Sequence, residues 1–245
     1  MTRTFRLMVA YDGTGYSGWQ IQPGRETVQG WLIKAAQPLM GEDVRVTGAS
    51  RTDAGVHALR QVVSIRSARA IAADVVARAL NAGLPRDIRV VTCAEGEAGF
   101  DARRSAVGKR YGYLIEDGPT PTPFLLRYAW HVPWPLDVAG LRPALAPLRG
   151  RHDFSAFCAA AGRDHEPTCV IRALHVVRRR ERIAVFVSAD RFLHHMVRNI
   201  VGSVVEVARG ARPREWLADV LASRDRRRAG PTAPAHGLTL MRVMY

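Results

Sequence analysis

Strand-like and helix-like stretches follow one another in a fixed order, and this order constrains the fold more than any other feature of the sequence. The helical stretches carry apolar residues every three or four positions, as Val28, Leu32 and Leu39 do. The first half contains six predicted elements: strands at 4–11, 43–47, 61–65 and 88–93, and helices at 27–40 and 73–81. The order β-α-β-β-α-β is typical of a ferredoxin-like or RRM-like unit.

The second half repeats this order with longer insertions. Its predicted elements are strands at 109–116, 127–132, 170–178, 182–188 and 238–243, and helices at 137–148, 192–208 and 214–222. We therefore predict an α+β chain of two ferredoxin-like βαββαβ units, with antiparallel sheets joined around a basic cleft. The boundary is predicted near 104–108, which gives an N-terminal domain at 1–105 and a C-terminal domain at 106–245.

The charge of the chain indicates the chemistry of its partner. The sequence has 36 Lys and Arg residues against 22 Asp and Glu residues, a net charge of +14. Lys34 and Lys109 are the only lysines, so nearly all of the positive charge is arginine. The planar guanidinium binds two phosphate oxygens at once. A nucleic acid is therefore the first expected partner, and an acidic membrane surface the second.

Other classes of protein are disfavoured by the sequence. No stretch of about 18 uninterrupted apolar residues is present, so no membrane span is expected. Residues 1–10 carry two arginines and lead directly into a strand pattern, without the core of a signal peptide. The three cysteines, at 93, 158 and 169, are odd in number and irregularly spaced, which indicates no disulfide framework. We expect a reduced, cytoplasmic protein.

One short run looks most like a site of chemistry. Arg51-Thr52-Asp53-Ala54-Gly55-Val56-His57 places a carboxylate beside an arginine on a turn relieved by glycine. Asp53 can act as a nucleophile or a proton acceptor. Arg51 can keep that carboxylate ionised and oriented. The alternative is an aspartate that merely caps a turn.

Metal and nucleotide cofactors are not expected. The pair His165 and Cys169, and the adjacent His194 and His195, suggest zinc ligands at first sight. The sequence lacks both a Cys-x-x-Cys pair and a His-Glu-x-x-His motif, so structural or RNA-facing histidines are favoured. No Walker-type loop and no dinucleotide fingerprint follows the first strand.

Five motifs, taken together, resemble a known family. They are 11–20 (YDGTGYSGWQ), 51–58 (RTDAGVHA), 100–103 with 109–111 (FDAR and KRY), 192–202 (FLHHMVRNIVG) and 230–237 (GPTAPAHG). In this order, and over nearly the whole chain, they resemble the TruA-type tRNA pseudouridine synthases. The chain departs from the family pattern at three positions: Ser50 where glycine is common, Asp101 where histidine is usual, and His236 where an acidic residue is frequent.

The resemblance implies a cofactor-free isomerase that converts uridine to pseudouridine in the anticodon stem-loop of tRNA, at positions 38, 39 and 40. It implies that Asp53 is the essential carboxylate, that Arg198 pairs with it, and that Tyr111 stacks on the flipped uracil. A buried carboxylate stays ionised only beside a cation, which is consistent with such a pair. Arg51 resembles a residue that fills the space left by the target nucleotide or steadies its phosphate.

The remaining substrate-binding candidates belong to the same motifs: His57, Arg103, Lys109 and Arg110. The resemblance further implies a homodimer, with a dimer surface on the C-terminal domain. Two alternatives stay open. One is a non-catalytic, RRM-like protein that binds or folds tRNA, and the other is a pseudouridine synthase with a different RNA target.

Overall fold

The computed structural model describes residues 3–159 and 166–245, which form two compact units. The first unit extends to Val107 and includes Thr239–Tyr245. The second unit is Gly108–Leu238. The domains predicted from the sequence assign the last strand to the C-terminal part instead. The strand belongs with the first unit because Thr239 and Leu240 pair with residues of that unit.

The first unit has the predicted order of elements. They are β1 (Arg3–Tyr11), α1 (Val28–Met40), β2 (Arg45–Gly48), β3 (His57–Ser67), α2 (Ala73–Gly83) and β4 (Ile88–Glu95). Helix α1 begins where it does because the Thr27 hydroxyl caps it and accepts the N–H of Gly30 at 3.2 Å. The β-α-β-β-α-β order of the first half is confirmed.

The sheet of the first unit is mostly antiparallel and carries one face of the core. Strand β1 lies between β3 and β4, and β2 pairs with the other side of β3. The last strand of the chain (Leu238–Met244) runs parallel to β3. Alternate residues Phe5, Leu7 and Val9 of β1 are buried, as the two-residue period of a strand requires. This sheet holds the ends of β2 and β3 in place, and the loop between them contains Asp53.

The second unit contains a longer series of elements. They are β5 (Gly108–Asp117), β6 (Trp130–Val132), α3 (Leu141–Leu145), β7 (Gly150–Asp153), β8 (Thr168–Arg179), β9 (Arg182–Ala189), α4 (Met196–Ala208) and α5 (Trp216–Ser223). Strand β9 lies antiparallel between β5 and β8, β7 pairs with β8, and β6 runs parallel to β5. Helix α4 is buried on almost every side, so it forms the centre of this unit.

Two sequence predictions for the second unit are wrong in detail, and one strand was missed. The helix predicted at 137–148 is the five-residue α3 followed by a short 3-10 helix at Ala146–Leu148. Prolines at 143 and 147 lack the N–H that a longer helix needs. The helix predicted at 192–208 begins at Met196 because His195 has φ +60°, a left-handed conformation. The short strand β7 was not predicted at all.

The length and polarity of the helices in the described residues decide whether any of them can span a membrane. Within residues 3–159 and 166–245, every helix is too short or too polar to cross a bilayer.

Candidate active site

Asp53 lies half-buried in a tight loop between β2 and β3. The N–H of Val56 donates to the carbonyl oxygen of Asp53 at 3.1 Å and closes a turn around it. Gly55 takes φ +76° in this turn, a value that a residue with a side chain adopts only at a cost. The shape of this turn therefore depends on Gly55, two positions after the carboxylate.

Buried polar contacts fix the residues on the N-terminal side of Asp53. The hydroxyls of Thr52 and Tyr11 lie 2.8 Å apart, and the carbonyl oxygen of Thr52 accepts the N–H of Trp19 at 2.9 Å. The side-chain amide of Gln61 in β3 bonds both main-chain groups of Ser50, accepting its N–H at 3.2 Å and donating to its oxygen at 2.7 Å. Asp53 thus projects from a main chain that its neighbours hold on both sides.

His57 fastens a second loop to the start of β3. The N–H of Gly13 donates to Nδ1 of its imidazole at 3.0 Å, and the same nitrogen lies 3.1 Å from Oδ1 of Asp12. The imidazole is buried within the first unit. Its observed contacts join the 12–13 turn to the start of β3, directly after the Asp53 loop.

Two predicted RNA-contacting arginines of the first unit are exposed. Within residues 3–159 and 166–245, the guanidinium groups of Arg51 and Arg103 make no hydrogen bond or ion pair, so Arg51 does not hold Asp53 in this structure. The main chain near Arg103 is nevertheless well supported. The carboxylate of Asp101 accepts the N–H groups of Arg103 and Arg104 at 2.9 and 2.8 Å.

Tyr111 and Tyr113 are neighbours on one face of β5, as strand alternation predicts. Tyr111 is 5% exposed and meets the ring of Phe192 edge-on, with ring centres 5.1 Å apart. Tyr113 donates its hydroxyl to the carbonyl oxygen of Pro234 at 2.7 Å and meets Trp130 edge-on. Burial raises the pKa of Tyr113 far above its usual range and outweighs the opposite effect of the nearby Arg198. Tyr113 therefore stays a neutral hydrogen-bond donor.

The two cations at the start of β5 have different surroundings. Arg110 is exposed, and its Nε donates to the hydroxyl of Ser188 in β9 at 2.9 Å. Lys109 is half-buried. Both remain candidates for contact with substrate.

Arg198 lies on the first turns of α4, where its neighbours are buried. Its Nε donates to the carbonyl oxygen of Ala233 at 2.7 Å, and the N–H of Ala233 donates to the carbonyl oxygen of Arg198 at 3.1 Å. A reciprocal pair of bonds to one main-chain position thus orients the guanidinium. The predicted pairing of Arg198 with a carboxylate stays a prediction.

Of the residues considered above as zinc ligands, the structure describes Cys169, His194 and His195. Cys158 and Cys169 are buried, and burial raises the pKa of the Cys169 thiol to about 11. The rings of His194 and His195 stack with centres 4.0 Å apart. His165 lies outside the described residues.

Some supporting residues were not predicted from the sequence. Gln61, Phe192 and Asn199 all lie within strands or motifs that the sequence analysis had noted, but no local pattern distinguishes them from ordinary core residues. Gln61 bonds Ser50, 11 residues away, and Asn199 bonds Phe157, 42 residues away. Phe192 meets the ring of Tyr111 in another strand, so only the tertiary fold reveals what each residue holds.

Comparison with known proteins identifies the class to which this chain belongs. The family model described as tRNA pseudouridine synthase matches residues 7–103 and 144–245. These ranges include Asp53 and Arg198, and the unmatched stretch between them includes Tyr111. The chain belongs to the tRNA pseudouridine synthase family.

Named relatives cover nearly the whole chain. The tRNA pseudouridine synthase A of Myxococcus xanthus is 44% identical over 98% of this chain and 91% of the relative. The proteins of that name from Brevibacillus brevis and Thermoanaerobacter sp. strain X514 are 42% and 40% identical, over 99% of this chain and 100% of each relative. The resemblance deduced from the five motifs is confirmed.

Proposed function

We propose that this chain isomerises uridine to pseudouridine in the anticodon stem-loop of tRNA, at positions 38, 39 and 40. The bond between N1 of uracil and C1′ of ribose breaks, the detached uracil turns over, and C5 bonds to C1′ in its place. The proton on C5 is lost and N1 gains one, so the product is an isomer of the substrate. No cofactor enters this balance.

The observation that carries the proposal is the held Asp53 loop in a chain of this family. Asp53 is the essential carboxylate, which acts as a nucleophile or assists removal of the C2′ proton. Each route needs a carboxylate fixed beside the reacting sugar, because orientation before reaction lowers the barrier. The contacts of Ser50 and Thr52 supply that fixed position.

The other predicted residues take supporting roles. Arg198 is the cationic partner of the carboxylate, and its orientation is set by Ala233. Tyr111 stacks on the uracil after the base has flipped out of the RNA helix. Flipping the base costs a few kcal/mol. Arg51, Arg103, Lys109 and Arg110 bind RNA phosphates, and His57 supports the loop on which Asp53 lies.

Two further features, the fold type of the first unit and the oligomeric state of the chain, complete the proposal. The first unit is a ferredoxin-like fold, since β1 lies between β3 and β4 in a β-α-β-β-α-β order. The chain acts as a homodimer in the cytoplasm, because one chain of 27.0 kDa offers limited surface to an L-shaped tRNA. Light scattering coupled to gel filtration measures the oligomeric state directly.

The decisive experiment compares Asp53→Ala with the matched variant Asp43→Ala. Asp43 is an exposed aspartate of the same unit that makes no hydrogen bond or ion pair with the described residues. Unmodified tRNA with uridines at 38–40 is incubated with each protein, and pseudouridine is mapped by carbodiimide labelling and primer extension. Filter binding measures the tRNA affinity in parallel.

We expect stops at positions 38–40 with the wild type and Asp43→Ala, and none with Asp53→Ala, while all three proteins bind tRNA equally. Binding without any product from the wild type would instead support the non-catalytic RNA-binding alternative. Stops at other positions, or on another RNA, would support a different target.

A further inference from the structure

We propose that Arg226 is a positioning residue, which holds the segment 230–237 against α4 and thereby orients the guanidinium of Arg198. The inference rests on the proposed function, since the orientation of Arg198 matters to a reaction only in a pseudouridine synthase. No comparison assigns a role to Arg226. Every contact that supports the proposal lies within the second unit.

The guanidinium of Arg226 bridges the segment and the helix. One Nη donates to the carbonyl oxygen of Gly230 at 2.9 Å. The other donates to the Thr232 hydroxyl and to Oδ1 of Asn199, each at 3.0 Å. The planar fork of an arginine suits such a set of acceptors, because its donors have a fixed relative direction. Arg226 therefore ties two positions of the segment to one position of α4.

Asn199 is a rigid anchor for this bridge. It is fully buried, and its Nδ2 donates to the carbonyl oxygen of Phe157 at 2.7 Å. That bond directs Oδ1 towards the segment, where Oδ1 also accepts the Thr232 hydroxyl at 2.7 Å. The neighbouring Ser203 accepts the N–H of Gly230 at 2.9 Å. The first half of the segment is thus bonded to α4 at both Gly230 and Thr232.

The same segment sets the direction of Arg198. Ala233 follows Thr232 directly, and its main chain forms the reciprocal bonds with Arg198 described above. Pro234 follows in turn and accepts the Tyr113 hydroxyl. Any movement of Thr232 therefore reaches the carbonyl oxygen that holds Nε of Arg198.

Among the described residues, Arg226 is partly buried without a carboxylate partner, which costs free energy for a charged guanidinium. This cost argues against a merely incidental contact. Its three bonded partners in the described residues are all neutral oxygens, and none is a carboxylate. Burial lowers the pKa of Arg226 below its usual value. The neighbouring Arg227 pairs with Asp225 in solvent, and the guanidinium of Arg228 is exposed without a hydrogen bond or ion pair to the described residues. Of these three consecutive arginines, only Arg226 turns inward.

The test compares Arg226→Gln and Arg226→Lys with the control Arg228→Gln. Pseudouridine formation is measured in a single turnover with enzyme in excess, and tRNA affinity is measured by filter binding. We expect Arg226→Gln to lower the rate constant about 10- to 100-fold, because an error of about 1 Å in a reacting group can cost that much. The dissociation constant for tRNA should stay within about twofold. Arg226→Lys should recover part of the rate, since it keeps the charge but not the fork.

Two results would overturn the proposal. A weaker tRNA affinity with an unchanged rate at saturation would make Arg226 an RNA contact. A lower melting temperature with an unchanged rate constant per folded molecule would make it a purely structural residue. Thr232→Val, which removes one arm of the bridge and disturbs the fold less, should lower the rate in the same direction as Arg226→Gln.

A second measurement does not depend on catalysis. The Nε–H signal of Arg198 in a nitrogen-15 spectrum, assigned by its loss in Arg198→Lys, should exchange slowly with solvent in the wild type. It should exchange faster in Arg226→Gln and remain slow in Arg228→Gln. An unchanged signal in Arg226→Gln refutes the positioning role, whereas a missing pseudouridine product in the wild type refutes the proposed function alone.

Discussion

Substituting Gly202 with alanine should destabilise the protein, although helix propensity alone predicts the opposite. Gly202 lies in the middle of α4, where glycine costs roughly 0.5–1 kcal/mol relative to alanine. An ideal Cβ at this position would lie 2.9 Å from the carbonyl carbon of Pro231 and closer still to its oxygen. The added methyl group must therefore displace the segment 230–237 from the helix.

The size of the effect follows from what the methyl group meets. Overpacking of a well-packed interior costs about 1–3 kcal/mol, and the upper part of that range applies because the obstacle is main chain that no side-chain rotation can move. Subtracting the gain in helix propensity leaves a net loss of about 2 kcal/mol. For a protein of this length, each kcal/mol shifts the melting temperature by about 2–4 °C. We expect Gly202→Ala to melt about 4–8 °C below the wild type.

Scanning calorimetry measures this shift, and Gly15→Ala is the control. An ideal Cβ at Gly15 meets no atom within 4 Å, and Gly15 does not have the positive φ that would strain an alanine. Its melting temperature should stay close to that of the wild type. If Gly202→Ala melts at or above the wild-type temperature, the segment does not pack against α4 as described, and the argument for Arg226 loses its basis.

Two further predictions concern the thiols and the exposed arginines. Burial raises the pKa of the Cys93 and Cys169 thiols to about 11 from an ordinary value near 9, so both stay protonated at pH 8 and should react slowly with Ellman's reagent until the protein is unfolded. Rapid labelling of the native thiols at pH 8 would contradict their burial. Because the pKa of each thiol is higher in the folded protein than in the unfolded one, the stability that depends on these thiols is complete below about pH 9 and is lost as the pH rises to about 11. Urea titrations across that pH range should show a falling free energy of unfolding. The second prediction concerns the double variant Arg51→Gln, Arg103→Gln. A plot of log affinity for tRNA against log salt concentration should become less steep by about 0.7–0.9 per substituted residue, because each exposed guanidinium that binds a phosphate releases counterions. Arg86→Gln, an exposed arginine of the same unit, is the control, and an unchanged slope in the double variant would show that neither arginine binds phosphate.

The sequence predicts the first unit well because its signals are local. Thr27 is followed by a periodic apolar pattern, and the observed helix begins directly after it. The second unit is predicted less well, since its exceptions depend on tertiary structure. His195 lies in a run that resembles helix, but its left-handed main chain delays the start of α4 to the next residue.

The site shows the same division between local and distant information. Asp53 and Arg198 stand in motifs that can be read in the sequence, whereas the residues that hold them cannot. In the sequence, Arg226 is one of four arginines within five positions, and all four resemble solvent-exposed charges. Its inward direction depends on Asn199, which lies 27 residues earlier on another element. No local pattern carries that information.

The bonds around Asp53 and Arg198 are made largely by main-chain groups, so they do not depend on whether position 50 is serine or the more common glycine. Gln61 bonds the main-chain N–H and carbonyl oxygen of Ser50, groups that the more common glycine would offer equally. Ala233 orients Arg198 through its main chain as well. A substitution cannot remove such main-chain groups, apart from the N–H that proline lacks. The positions of Asp53 and Arg198 therefore depend less on the side chains next to them in sequence than on a few distant side chains, such as Gln61 and Arg226. Substitutions at these distant positions should consequently perturb the reaction more than changes at Ser50.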